Sequence, residues 1–225
     1  MKRFFDVIFS ILGLILLSPL LIPVMVILKF TGEGEVFYRQ KRVGKGGKMF
    51  YVLKFATMLK DSPYMGTQTV TIKDDPRILP FGKFLRKTKI NELPQLVNVL
   101  KGDMSLIGPR PQTTRCFLAF PNSAQLAILK VKPGLSGIGS IVFRDEESML
   151  DGNSKDGKDR LKFYDEVIAP YKGKLEEWYV KHQDLLTYFK LIFATIWVIL
   201  FPKSKIYKRL FKDLPKPPKE LENYI

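Results

Sequence analysis

From Val7 to Leu28 the chain carries no charge, in the run VIFSILGLILLSPLLIPVMVIL. Roughly 20 apolar residues in a helix are enough to cross a hydrocarbon core, so a plain transmembrane span is the default. Pro19 and Pro23 stand against it. Neither has an N–H, and a continuous helix would leave the carbonyls of Ile15 and Pro19 without their usual donors. The Ser18 hydroxyl can donate back to the Leu14 or Ile15 carbonyl, which bends a helix. Ser18-Pro19 is therefore expected to be a hinge where the helix bends or breaks. Lys2 and Arg3 precede the segment, and Lys29, Arg39, Lys41 and Arg42 follow it. This pattern lacks the asymmetry that orients a spanning helix. A re-entrant hairpin dipping into one leaflet, with both ends on one side, meets these conditions. No small-x-small cleavage pattern follows the run, so the segment is expected to stay in the mature protein.

The charge balance asks for an anionic partner. Lys and Arg total 37 against 22 Asp and Glu, a formal net charge of +15. Nucleic acid, a phospholipid surface and a phosphorylated small molecule all fit that sign. The chain has no recognisable nucleic-acid reading motif or interleaved aromatic platform, which places nucleic acid last. Cys116 is the single cysteine and His182 the single histidine. An intrachain disulfide is excluded, and a Cys/His zinc site or a Ser-His-Asp triad is disfavoured. Near the other end, LLTYFKLIFATIWVILF (Leu185 to Phe201) precedes a run in which Lys203, Lys205, Lys208, Arg209 and Lys212 alternate with apolar residues, a composition suited to an anionic leaflet. Pro215, Pro217 and Pro218 mark a loose terminus.

Between these regions, VFYRQKRVGKGGKMFYVLKF reads as a β-hairpin around a glycine turn. It is no Walker loop, because Gly46-Gly47-Lys48 leads into a strand-like run and not into a helix. DDPRILPFGKFLRKT reads as a loop and short cationic helix containing Arg86. In KINELPQLVNVLKGD, Leu93, Leu96, Val97 and Leu100 recur at helical spacing, Gly102 suits the position past the end, and Asn91 is expected to be the N-cap with Glu92 in the first turn. Gly108-Pro109-Arg110-Pro111 is a stiff turn that aims one arginine, as phosphate recognition requires. KPGLSGIGSIVFRDEE reads as a glycine-rich loop and a short strand ahead of Arg144, with Glu146 and Glu147 on the surface or behind the site. The fold class is α+β: a membrane helix over 1–30, a small cytoplasmic domain of helices with a short hairpin over 31–184, and amphipathic interfacial helices with a basic tail over 185–225.

These blocks, from the Ser18-Pro19 segment through VFYRQKRVGKGGKMFYVLKFATM and DDPRILPFGKFLRKTKINELPQLVNVLKGDMSLIGPRP to KPGLSGIGSIVFRDEE, resemble the bacterial sugar transferases, monotopic polyprenyl-phosphate phosphoglycosyl transferases. The resemblance covers most of the chain. It implies an enzyme on the cytoplasmic face of the bacterial inner membrane. Such an enzyme moves a phosphosugar from a nucleoside diphosphate sugar, usually a UDP-sugar, to polyprenyl (undecaprenyl) phosphate, releases UMP and uses Mg²⁺. It implies an anionic membrane as a partner and leaves room for a homo-oligomer. Lys54, Arg86, Arg110 and Arg144 match its basic positions and are expected to bind the diphosphate, while Ala56 stands where an arginine is common. Asn91 and Glu92 match its catalytic and metal-binding Asp-Glu pair, but an amide replaces the attacking carboxylate. Three readings follow: Asn91 replaces the aspartate in a trapped or engineered variant, a natural member uses Glu92 as the nucleophile, or the chain is a binding-competent relative without turnover that serves as a membrane scaffold.

Overall fold

The computed structural model describes residues 1–65, 71, 75–152 and 157–225. Asp74, which opens one of the motifs above, lies outside them. The chain begins with α1 (Lys2–Phe30), followed by β1 (Phe37–Val43) and β2 (Met49–Phe55). Next come α2 (Pro80–Lys87), α3 (Gln95–Lys101), β3 (Ser105–Ile107), α4 (Thr114–Leu118), α5 (Asn122–Ile128), β4 (Gly134–Ser136) and α6 (Ile138–Val142). Helices α7 (Glu146–Gly152) and α8 (Gly157–Phe163) lead through one π-helical turn, Tyr164–Ile168, into α9 (Ala169–Lys181), α10 (Leu185–Leu200) and α11 (Ile206–Leu210). The hairpin is antiparallel, Phe37 opposite Phe55 and Val43 opposite Met49, and Gly46 and Gly47 take the positive φ values its turn needs. Strands β3 and β4 pair in parallel, Ser105 opposite Gly134 and Ile107 opposite Ser136.

The first helix does not break at Ser18-Pro19; it runs unbroken through both prolines. The Ser18 hydroxyl donates to the Ile15 carbonyl at 2.8 Å, the group that Pro19 leaves without a backbone donor. The helix also rests against the rest of the protein along its length. Arg3 donates to the carbonyls of Val99 and Leu100 in the last turn of α3. Asp6 is buried and accepts from Ser105 Oγ, from the Leu106 N–H and from Tyr188 Oη, each within 3.0 Å. Leu21, Val24 and Leu28 pack with Phe55 and Leu85. The opposite side of α1 is exposed at Leu12, Ile15, Leu16, Ile22 and Val26. It is the one described helix long and apolar enough to cross a membrane.

The main core lies under α6, α9 and α10, where Ile138, Leu175, Tyr188 and Leu191 are fully enclosed. Helix α10 is two-sided, burying Tyr188, Leu191, Ala194 and Val198 and exposing Leu186, Phe193, Ile196, Ile199 and Leu200. Its Phe189 meets Phe5 edge-on at 5.0 Å, so the apolar outer faces of α1 and α10 join. The proline-rich terminus is packed, not loose. Tyr171 Oη donates to the Pro215 carbonyl, Trp178 Nε1 donates to Asp213, and Leu221 and Ile225 are buried. Extended Pro-rich chain has little conformational entropy left to lose on docking.

Candidate active site

Lys54 enters from β2, on the pleat face shared with the buried Val52. Asn98 of α3 accepts from the Leu53 N–H at 2.9 Å and donates to the Tyr51 carbonyl at 2.8 Å, riveting that strand to the helix that follows Glu92. Between α2 and α3 the chain turns through Lys89 at a φ of 62° and a single 3₁₀ turn, Ile90–Glu92. Helix α3 starts only at Gln95, after Pro94. Asn91 therefore caps nothing: it is buried inside the turn, and its Oδ1 has no hydrogen-bond partner. Pro94, which tolerates only the first turn of a helix, moves the start of α3 beyond the expected position. Gly102 ends α3 at a φ of 92°, as the sequence predicts.

Arg110 comes from the opposite side on a turn built for close approach. Gly108 donates to the Ser136 carbonyl and Gly134 to the Pro109 carbonyl. A Cβ on Gly134 would lie 2.1 Å from Gly108 N, and one on Gly137 would lie 2.2 Å from Gly108 O. The Arg110 N–H donates to Glu176 Oε1 at 3.3 Å, and Arg42 Nη1 donates to the Pro111 carbonyl at 3.0 Å. So held, the guanidinium forks onto Glu92, Nη2 to Oε1 at 2.6 Å and Nη1 to Oε2 at 3.2 Å. Lys54 Nζ stands 4.0 Å from the same Oε1. Arg86 lies at the rim, paired with Glu147 at 3.0 Å, and Lys172 pairs with Glu146.

Cations outnumber carboxylates here, and their proton affinities register it. Lys54 is pushed down to about 7, first by burial and then by Arg42, Arg110 and Arg86, with Glu92 opposing. Arg42 is pushed down to about 10 by burial and by Arg110. Lys89 is lowered by lost hydration against the pull of Glu92, and Arg144, lowered the same way, adds to the field at Lys89. Burial alone would raise Glu92, but Arg110, Lys54 and Lys89 outweigh it and hold this carboxyl well below the usual range. An enclosure with surplus positive charge is destabilised until an anion enters.

The structure thus brings Lys54 and Arg110 onto the same carboxylate, Glu92, with Arg86 in the field at Lys54 and Arg144 in the field at Lys89. The residues around Arg144 differ from the sequence reading: the short strand is Gly134–Ser136, and the SIV run ahead of Arg144 is helical, in α6. Sequence reasoning left out Arg42, Lys89 and Glu176. The first two sat in quoted motifs, whereas Glu176 had no signal, being 66 residues from the backbone it holds. Among the described residues no three carboxylate, histidine or cysteine groups converge into a metal cage. Glu92 and the unpartnered Asn91 Oδ1 offer one charged and one neutral oxygen. That set fits Mg²⁺, an ion that keeps several waters and takes other ligands from substrate phosphates.

The family description "Bacterial sugar transferase" matches residues 1–202. The exopolysaccharide production protein ExoY of Sinorhizobium fredii is 38% identical over 161 residues, 65% of this chain and 71% of that protein. The undecaprenyl-phosphate galactose phosphotransferase of Salmonella typhimurium is 34% identical over 215 residues, 89% of this chain and 40% of its own length. The UDP-glucose:undecaprenyl-phosphate glucose-1-phosphate transferase of Xanthomonas campestris pv. campestris is 38% identical over 152 residues, 66% of this chain and 31% of its own. The chain thus aligns with less than half the length of these last two relatives. With its match running from α1 through α10, the chain belongs to the bacterial sugar transferase family.

Proposed function

We propose that the chain transfers a phosphosugar from a nucleoside diphosphate sugar, a UDP-sugar, to polyprenyl phosphate of the undecaprenyl type. UMP is released and assembly of a membrane-bound glycan begins. The observation that carries this reading is the Lys54–Glu92–Arg110 cluster, whose surplus positive charge is met by the diphosphate of the donor and the phosphate of the acceptor. Arg110 and Lys54 hold the phosphates in line and stabilise the charge that moves onto the departing nucleoside monophosphate. Arg86 and Arg144 draw the donor in from the rim. Glu92 fixes the direction of the Arg110 fork. Asn91 and Glu92 would hold Mg²⁺, which when bound would supply positive charge against that of the substrate phosphates.

The lipid substrate sets where this chemistry takes place. Its phosphate lies at the bilayer surface while its tail stays in the leaflet. We assign α1 as a re-entrant anchor, helical throughout and bent, not broken, at Ser18-Pro19, and α10 as its interfacial partner. In support, Arg3 and Asp6 at one end of α1 and Leu28 at the other all contact the same folded body, which a straight crossing of the bilayer would prevent. The joined outer faces of α1 and α10 then enter one leaflet, the basic residues after α10 meet its anionic headgroups, and the site faces the cytoplasm.

The test is a panel of nucleotide sugars with polyprenyl phosphate and Mg²⁺ in vesicles, scored for a polyprenyl diphosphosugar. Its appearance with at least one donor, and its loss in Arg110→Ala, is the expected result. The amide at Asn91 favours a second reading, a membrane scaffold that binds both substrates without turnover. Binding of donor and lipid with no product from any donor would establish that reading instead.

A further inference from the structure

We propose that Glu147 is a competing carboxylate at the mouth of the site: it holds Arg86 in the free protein, yields that guanidinium to the donor's diphosphate, and takes it back from the nucleoside monophosphate left after transfer. The inference rests on the transfer reading above and extends it to product release.

Two arginine–carboxylate pairs border the site, and they are built differently. Arg110 forks onto both oxygens of Glu92, whose side chain is 16% exposed. Arg86 gives Glu147 a single contact, Nη2 to Oε1 at 3.0 Å, and the Glu147 side chain is 45% exposed. The other terminal nitrogen of Arg86, Nη1, donates to the Met58 sulfur at 3.8 Å, a weak acceptor. A single-point pair in contact with water exchanges partners readily, whereas an enclosed fork stays closed. A phosphate group can occupy both Nη1 and Nη2, which Glu147 does not.

Glu147 is kept within reach by its helix. Met149 and Leu150 of α7 are buried in the main core, and Ser148 Oγ donates to Asp145 at 2.8 Å across the start of the helix. The neighbouring carboxylates are committed. Glu146 pairs with Lys172, whose ammonium also lies over the Phe143 ring, and Asp145 takes the Ser148 hydroxyl and acts on Arg144. Glu147 instead reaches across 61 residues of sequence to the last turn of α2. It also acts on Lys89, as Glu92 does, while Arg86 acts on Lys54. The pair therefore stands between solvent and the buried cations, and an anion that takes Arg86 displaces Glu147.

Displacement turns the carboxylate into water but leaves it beside the bound anion, where like charges repel. The donor outcompetes it because its two phosphates hold the outer Arg86 and the inner Lys54 and Arg110 together. The monophosphate that remains after transfer has one phosphate to hold, so the return of Glu147 to Arg86 shortens its stay.

Calorimetry of UMP with the parent, Glu147→Gln, Arg86→Gln and the double variant, each full length in lipid nanodiscs, tests this competition. Glu147→Gln is expected to bind UMP about fivefold more tightly than the parent, and UMP should inhibit its transfer reaction at correspondingly lower concentration. In the Arg86→Gln background the same substitution should change UMP affinity by less than about twofold. Unchanged or weaker UMP binding by Glu147→Gln, or an equal gain without Arg86, would overturn the competition, while a lipid product from any donor would keep the transfer reading in place. The Arg86-dependent gain with no lipid product from any donor would establish Glu147 as a competitor for anions at Arg86 and remove the transfer reading.

Discussion

Replacing Glu176 with glutamine should abolish a pH-dependent instability built into the support of Arg110. Glu176 is 1% exposed, and burial pushes its carboxyl up to about 7 from 4.5, against the opposing pull of the Arg110 N–H and Lys172. A folded-state value above the unfolded one means that the native protein binds more protons between pH 4.5 and 7. Stability contributed by this group is therefore intact below pH 4.5, declines as pH rises through that window and is level above it. The displacement of 2.5 pH units corresponds to about 3 kcal/mol. Glutamine keeps an oxygen for the Arg110 N–H and never ionises. In lipid nanodiscs, the stability of Glu176→Gln relative to the parent should rise by about 2–3 kcal/mol from pH 5 to pH 8. Denaturant midpoints at several pH values measure this. Equal pH slopes for the two proteins would show that Glu176 is not held in a desolvated position behind the site.

Other perturbations probe other parts of the account. Asp6→Ala leaves Ser105 Oγ, the Leu106 N–H and Tyr188 Oη without their acceptor, a cost of about 3–6 kcal/mol in denaturant melts, whereas Tyr188→Phe should cost about 1 kcal/mol. Near-parental stability of Asp6→Ala would mean that α1 is not clamped to the body. Gly137→Ala drives a Cβ to 2.2 Å from Gly108 O and should cost about 3 kcal/mol, with loss of transfer activity as the Arg110 turn shifts; full activity would separate that turn from function. Lys54 loses its charge as pH rises through about 7, so pyrophosphate should bind the free protein more weakly at pH 8 than at pH 6. Lys54→Arg should flatten that profile, and calorimetry at the two pH values checks both statements.

Local chemistry made much of this fold readable in advance. The glycine turn between two β-prone runs, the Gly102 stop of α3 and the stiff Gly108–Pro111 turn each follow from backbone preferences of the residues themselves. The Ser18 hydroxyl bond to the Ile15 carbonyl was readable too, whereas helix continuing through both prolines was not, because local proline rules allow a break as readily as a bend. Asn91 misled for a related reason: a good cap residue beside Pro94 reads as a helix start, yet a 3₁₀ turn intervenes and leaves the amide buried. The packed C-terminal tail depends on Tyr171 and Trp178, about 40 residues upstream, a distance over which composition gives no warning. Cations in quoted motifs could be nominated by type, but their order of importance emerged only when Arg110 and Lys54 proved to share one carboxylate, Glu92.

The most direct measurement is a parallel count of UMP and polyprenyl diphosphosugar released in one reaction, with parent protein, UDP-sugar, Mg²⁺ and polyprenyl phosphate in vesicles. If surplus cationic charge around Glu92 joins donor and acceptor, the two products appear in equal amounts and both vanish in Arg110→Ala. Full product formation by Arg110→Ala, or UMP released without any lipid product, would contradict that claim.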